Sequence, residues 1–111
     1  EEIVPVWDFK PAADTPRIRD ASAASVAVCG FQCLEAHNAA DTEIQTVKKR
    51  MLQRLCSPAY LVPGRDGPAI QRNGQVGDGI PGGAKNACTS WGDYFLMEAL
   101  AREQFGFEGW W

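Results

Sequence analysis

The sequence predicts an all-α chain of three helices interrupted by one long glycine- and proline-rich loop. Two observations carry this prediction. Apolar residues recur at helical spacing over about 20–37, 41–56 and 90–104, and regular patterning vanishes over 57–89, where seven of the eleven glycines and four of the seven prolines fall within 57–88. A third observation shapes the architecture: the first and last helices are apolar on every side, whereas the middle one is amphipathic.

The leading nineteen residues carry Pro5, Pro11 and Pro16, which break helices and extend the backbone before each ring. Their apolar cluster Val6-Trp7-Asp8-Phe9 is expected to dock against the start of the next helix. Asp20 is the expected N-cap of that helix, a short carboxylate able to accept the unpaired amides of the first turn. In the helix itself Ala23, Ala24, Val26, Val28, Cys29, Phe31, Cys33 and Leu34 occupy all sides of the wheel, and a helix apolar all round needs cover all round. His37 closes it as a surface cap partner.

In the second helix Ile44, Val47, Met51, Leu52 and Leu55 form one stripe, with Lys48, Lys49, Arg50 and Arg54 largely off it. That is a surface helix. Thr42 and Gln45 have capping-box spacing, and basic residues gather where the helix dipole favours them. In the loop, Pro63-Gly64 and Asp66-Gly67 signal turns, and short extended pieces at 60–62 and 69–71 are placed to pair as a hairpin. The third helix presents Trp91, Tyr94, Phe95, Leu96, Met97, Ala99 and Leu100 around its wheel. Ser90 and Asp93 have capping-box spacing at its start, and Glu98 at its middle suits a buried ion-pair partner. The tail from Phe105 to Trp111 is aromatic enough to need a surface.

Composition bounds the function. The chain has 111 residues, 45% of them hydrophobic, and a net charge of -3 with no basic stripe, which argues against nucleic acid as a partner. No apolar run reaches the roughly 18 to 20 residues that span a bilayer, so a membrane is not an expected partner either. The chain opens on Glu1-Glu2-Ile3-Val4-Pro5 without an initiator methionine, so a processed protein or an excised piece is as plausible a reading as a complete product. Cys29, Cys33, Cys56 and Cys88 are too sparse for a disulfide framework and are expected as buried free thiols, which favours the cytoplasm, although the N-terminus gives no address. Cys29, Cys33 and His37 recur every fourth residue, but a fourth ligand is missing and no metal is expected.

The order of buried helix, surface helix, loop and buried helix is that of a chain passing between the inner and outer rings of a helical barrel. Three helices cannot close such a ring, so the helices lack partners. The structural alternative, a three-helix bundle, leaves a large apolar area bare.

Three segments resemble signatures of the unsaturated glucuronyl hydrolases: Pro5-Val6-Trp7-Asp8-Phe9, Arg19-Asp20-Ala21-Ser22-Ala23-Ala24, and Trp91-Gly92-Asp93-Tyr94-Phe95-Leu96-Met97-Glu98-Ala99-Leu100. The related unsaturated rhamnogalacturonyl hydrolases share part of this pattern. The resemblance implies the C-terminal portion of an (α/α)6 barrel of roughly twelve helices, of which the chain would supply roughly the last quarter. The missing N-terminal barrel helices would then be its immediate partners.

It also implies an enzyme, without cofactor, that protonates the C4=C5 double bond of a terminal unsaturated uronic acid so that water adds at C5, releasing the sugar from an oligosaccharide. The aspartates credited with that chemistry lie upstream of the matched region, so no catalytic residue is expected in this chain and the chain alone is expected to be inactive. What it would contribute is pocket wall. Inner helices start at the mouth of such barrels, where free amides and positive dipole ends suit an anionic uronate; Arg19 and Lys85 would add charge, Trp91 would stack on a sugar face, and Gln75 would add a polar contact. Asp20, Ser90 and Asp93 are assigned to caps. The stretch 71–79 departs from the family pattern in having no aromatic residue. A different class of function, a small non-catalytic module binding saccharide or protein through the loop, Trp110 and Trp111, remains the alternative.

Overall fold

A computed structural model describes residues 2–10, 17–64, 67–77 and 85–108. Asp66 of the turn expected at Asp66-Gly67 and the tail tryptophans Trp110 and Trp111 lie outside these residues. The order is α1 (Ala21–Ala36), α2 (Thr42–Leu55) and α3 (Ser90–Phe105), with no strand beyond isolated bridges among the described residues.

Helix α1 begins where Asp20, in extended conformation, accepts the amides of Ser22 and Ala23. It ends at His37, whose Nδ1 lies 2.9 Å from the carbonyl of Cys33. Asp41 caps α2 by accepting from Ile44 N, one residue before the expected Thr42. For α3 the cap is Thr89 rather than Ser90: Thr89 has extended φ and ψ and accepts from Gly92 N, while Ser90 is already helical. Serine and threonine are near-equal caps, so the backbone bend decides between neighbours.

Helix α1 packs against both α2 and α3. It runs parallel to α3, because contacts advance together along both: Ser22 beside Gly92, Cys29 donating to Phe95 O, and Gln32 donating to Ala99 O and Glu103. Helix α2 runs back, so that Lys48 meets Glu35 and Arg54 meets Glu2. The core consists of Val4, Ala21, Ala24, Val28, Cys29, Met51, Leu55, Tyr60, Leu96 and Ala99. The leading segment docks as expected, Trp7 N donating to Ile18 O and Asp20 N to Pro5 O, but Phe9 stays exposed.

The all-round burial expected of α1 and α3 is not reached. Val26 and Leu34 on α1, and Trp91, Tyr94 and Met97 on α3, are exposed, because the other described helices leave part of each helix uncovered. The long loop is anchored: Leu61 bridges Gln71, with Val62 N donating to Ile70 O and Arg72 N to Tyr60 O. No helix among the described residues is long and apolar enough to cross a membrane.

Candidate functional site

Because α1 and α3 are parallel, their N-termini lie side by side, and the loop crosses both. Residue 73 binds the first helix, its carbonyl accepting Ala21 N at 2.9 Å. Gln71 lies between the helices and donates through Nε2 to Ser25 Oγ at 2.7 Å. Residues 70 and 71 bind the last helix, both amides donating to Asp93 Oδ1.

The two helix ends differ in what they leave free. On α1 the amide of Ala21 is taken by Asn73, and those of Ser22 and Ala23 by the Asp20 carboxylate, which also accepts from Ser22 Oγ. The expectation of free amides therefore fails for α1, whose dipole already faces a charge of its own chain. On α3, Thr89 serves Gly92, and among the described residues nothing accepts the amides of Ser90 and Trp91.

The residues expected to bind substrate separate in the same way. Trp91 stands in the first turn of α3 with 45% of its surface exposed, and Lys85 is exposed ahead of that helix. Arg19 instead spends its guanidinium on the carbonyl of Val4 at 2.8 Å. Gln75 is buried, its Nε2 donating to Arg19 O at 2.7 Å and its Oε1 accepting from Asn86 N. It ties the loop to the segment that precedes α1. Asp93 makes no capping box with Ser90; its carboxylate turns to the loop, which is the correction to its assignment as a cap. Glu98 is buried and paired with Arg102.

Clefts of about 510 and 720 Å³ open near the opposite ends of the helices, around Glu35, Lys48 and Glu103. They are poor sites for a uronate, since helix C-termini and two glutamates already surround Lys48, which they neutralise. Of the thiols, Cys29 is buried and pushed up to about 12 by that burial, so it is held protonated. Cys56 and Cys88 are exposed, contrary to the expected burial; all four are free. The described residues hold no cluster of metal-binding side chains.

The arrangement defines a class: a helical-barrel segment whose paired inner-helix ends face one way. Comparison names the relatives. No family model matches the chain. The unsaturated glucuronyl hydrolase of Bacillus sp. (strain GL1) is 29% identical over the whole chain, which spans 30% of that protein. Its crystal structure, described as that of an enzyme responsible for the degradation of glycosaminoglycan, superposes with a TM-score of 0.78 at 27% identity, covering 97% of this chain and 29% of that one. A structure of UGL with dGlcA-Glc-Rha-Glc gives 0.80 at 28% identity, covering all of this chain and 30% of that one. In sequence and in fold the chain thus resembles the unsaturated glucuronyl hydrolases throughout, and its three helices are a portion of an (α/α)6 barrel.

Proposed function

We propose that the chain forms part of the sugar-binding wall of an enzyme that hydrates the C4=C5 double bond of a terminal unsaturated uronic acid and so releases it from an oligosaccharide. The observation that carries this reading is the pairing of two parallel helix N-termini under an ordered loop, with Trp91 left open at the same end. The bound oligosaccharide in one structural relative supports the substrate class. The amides of Ser90 and Trp91, which have no partner among the described residues, and the positive end of the α3 dipole attract the uronate carboxylate, and Lys85 adds charge. Trp91 stacks on a sugar face. Arg19 and Gln75 serve from behind, holding the chain that carries α1 and the loop. The proton donor comes from elsewhere in the barrel, as do the helices that cover Val26, Leu34, Tyr94 and Met97; residues 1–111 act as one segment of that larger domain.

In the full-length protein, Trp91→Ala should lower turnover of an unsaturated disaccharide by about tenfold or more, the loss of one well-made stacking contact in the transition state. Arg50→Ala, on the exposed side of α2, should change it little. Equal effects in variants of equal thermal stability would remove Trp91 from the site.

A further inference from the structure

The motif Trp91-Gly92-Asp93 is occupied with the loop rather than with its own helix. A capping-box acid stands at the third position of a helix and reaches back to the cap; with Thr89 as the cap, Gly92 holds that position and Asp93 is the fourth. Thr89 Oγ1 accepts Gly92 N, and Asp93, free of any capping duty, accepts Gln71 N at 2.7 Å and Ile70 N at 3.1 Å on its Oδ1. Two amides converging on one carboxylate oxygen make a charge-assisted clasp. Gly92 makes room for it: a Cβ there would lie 2.6 Å from Gln71 Oε1. Gln71 itself is 2% exposed, and its Nε2 continues the link to Ser25 Oγ, whose hydroxyl donates to Ala21 O. Ala21 N in turn donates to Asn73 O. Residues 70–73 are therefore fastened to α3 at one end and to α1 at the other, directly across the paired helix starts.

We propose that Asp93 and Gln71 are positioning residues, which hold this stretch at a fixed height over the two helix ends and so set the mouth of the sugar site. The inference rests on the proposed function. Neither residue touches substrate, and Asp93 acts as a hydrogen-bond acceptor, with no proton passing through it. Loss of the clasp frees residues 70–73, whose backbone then samples positions that obstruct the saccharide.

The test compares Asp93→Ala, Asp93→Asn and Gln71→Ala in the full-length protein, by amide hydrogen exchange and by turnover of an unsaturated disaccharide. Hydrogen bonds to a charged group are worth enough that Asp93→Ala should speed exchange at Ile70 and Gln71 by about tenfold or more, with α2 unchanged. It should raise KM by a similar factor and change kcat less. Asp93→Asn, which keeps an acceptor oxygen, should recover most of both losses. Gln71→Ala leaves Asp93 in place and decides the case should Asp93→Ala not fold; it should raise KM and loosen the same stretch.

Unchanged exchange at 70–71 in both alanine variants would overturn the clasp. A loss of kcat in Asp93→Asn as deep as in Asp93→Ala would overturn the acceptor role and point to a carboxyl proton. Should the unaltered protein fail to turn over the disaccharide, the functional reading falls, whereas the exchange comparison still decides whether the clasp exists.

Discussion

The two ends of the α1–α3 pair are built differently. At the N-terminal end the joints are hydrogen bonds of fixed geometry: Gln71 to Ser25, Asn73 to Ala21, Gln75 to Arg19 O, and the amides of 70 and 71 to Asp93. At the C-terminal end Lys48 bridges Glu35 and Glu103, and Gln32 ties Glu103 to the carbonyl of Ala99. Hydrogen bonds of the first kind fix position to a few tenths of an ångström, while ion pairs between long side chains hold helices together with more slack and with a dependence on pH. The end with fixed geometry is the one at which the proposed function places the sugar.

The largest expected effect tests how tight that end is. Gly92→Ala should destabilise the protein by about 2 kcal/mol or more, since a forced shift of Gln71 and Thr89 is an overpacking strain in a buried site. Gly30→Ala, on an open face of α1 with nothing within 4 Å of the added carbon, should stabilise by about 0.5 to 1 kcal/mol. Melting temperatures of the two variants check this, and a Gly92→Ala protein as stable as Gly30→Ala would show that the joint is loose.

The charged end should respond to acid. The hydrogen bond from Lys48 holds Glu103 below the usual carboxylate range. Burial alone would lower Lys48, but Glu103 and Glu35 outweigh it and hold the amine above its ordinary value. A depressed carboxylate stabilises the fold above its unfolded pKa, and that contribution is lost as pH falls through the lowered value; a raised lysine contributes below its unfolded pKa and loses it only as pH climbs past the folded one. Stability should therefore decline as pH falls from about 5 to 2; Glu2, which Arg54 holds at about 2 near the start of α1, adds a share of the decline from outside that end. Lys48→Met should flatten this slope by less than about 1 kcal/mol, since 40% of the Glu103 side chain meets solvent. An unaltered slope in urea titrations at several pH values would mean the bridge contributes nothing.

Smaller still is the contrast at the α3 cap. Thr89→Ala should cost about 1 kcal/mol, whereas Ser90→Ala, one residue inside the helix, should stay within a few tenths. Denaturant midpoints separate the two.

The local features of this molecule were legible in the sequence, and the joints between distant segments were not. Asp20 showed itself as a cap, the helices by their spacing, and the short pairing of 60–62 by its turn residues, although the partner stretch is 70–72 rather than the expected 69–71. Ser90 misled, because Ser-x-x-Asp looks like a capping box whether or not the backbone bends one residue earlier. Asp93 misled for a second reason: its partners lie 22 and 23 residues away, and no periodicity reports a bond across such a loop. Gln71, Gln32 and the Lys48 bridge were missed on the same ground. Reading apolar wheels as demand for cover leads to the exposed Val26, Leu34 and Met97, faces that the other described helices leave bare.

The central claim, that the chain supplies binding wall while the proton donor lies outside it, is tested most directly by following the vinyl-ether absorbance of an unsaturated disaccharide with the isolated chain beside the full-length protein. General acid catalysis contributes about a hundred- to ten-thousandfold and requires a pocket that fixes acid and carbon together. The account predicts loss of absorbance with the full-length protein and none with residues 1–111 alone. Comparable turnover by the isolated chain would contradict it, placing the proton donor among the carboxylates assigned here to caps and joints.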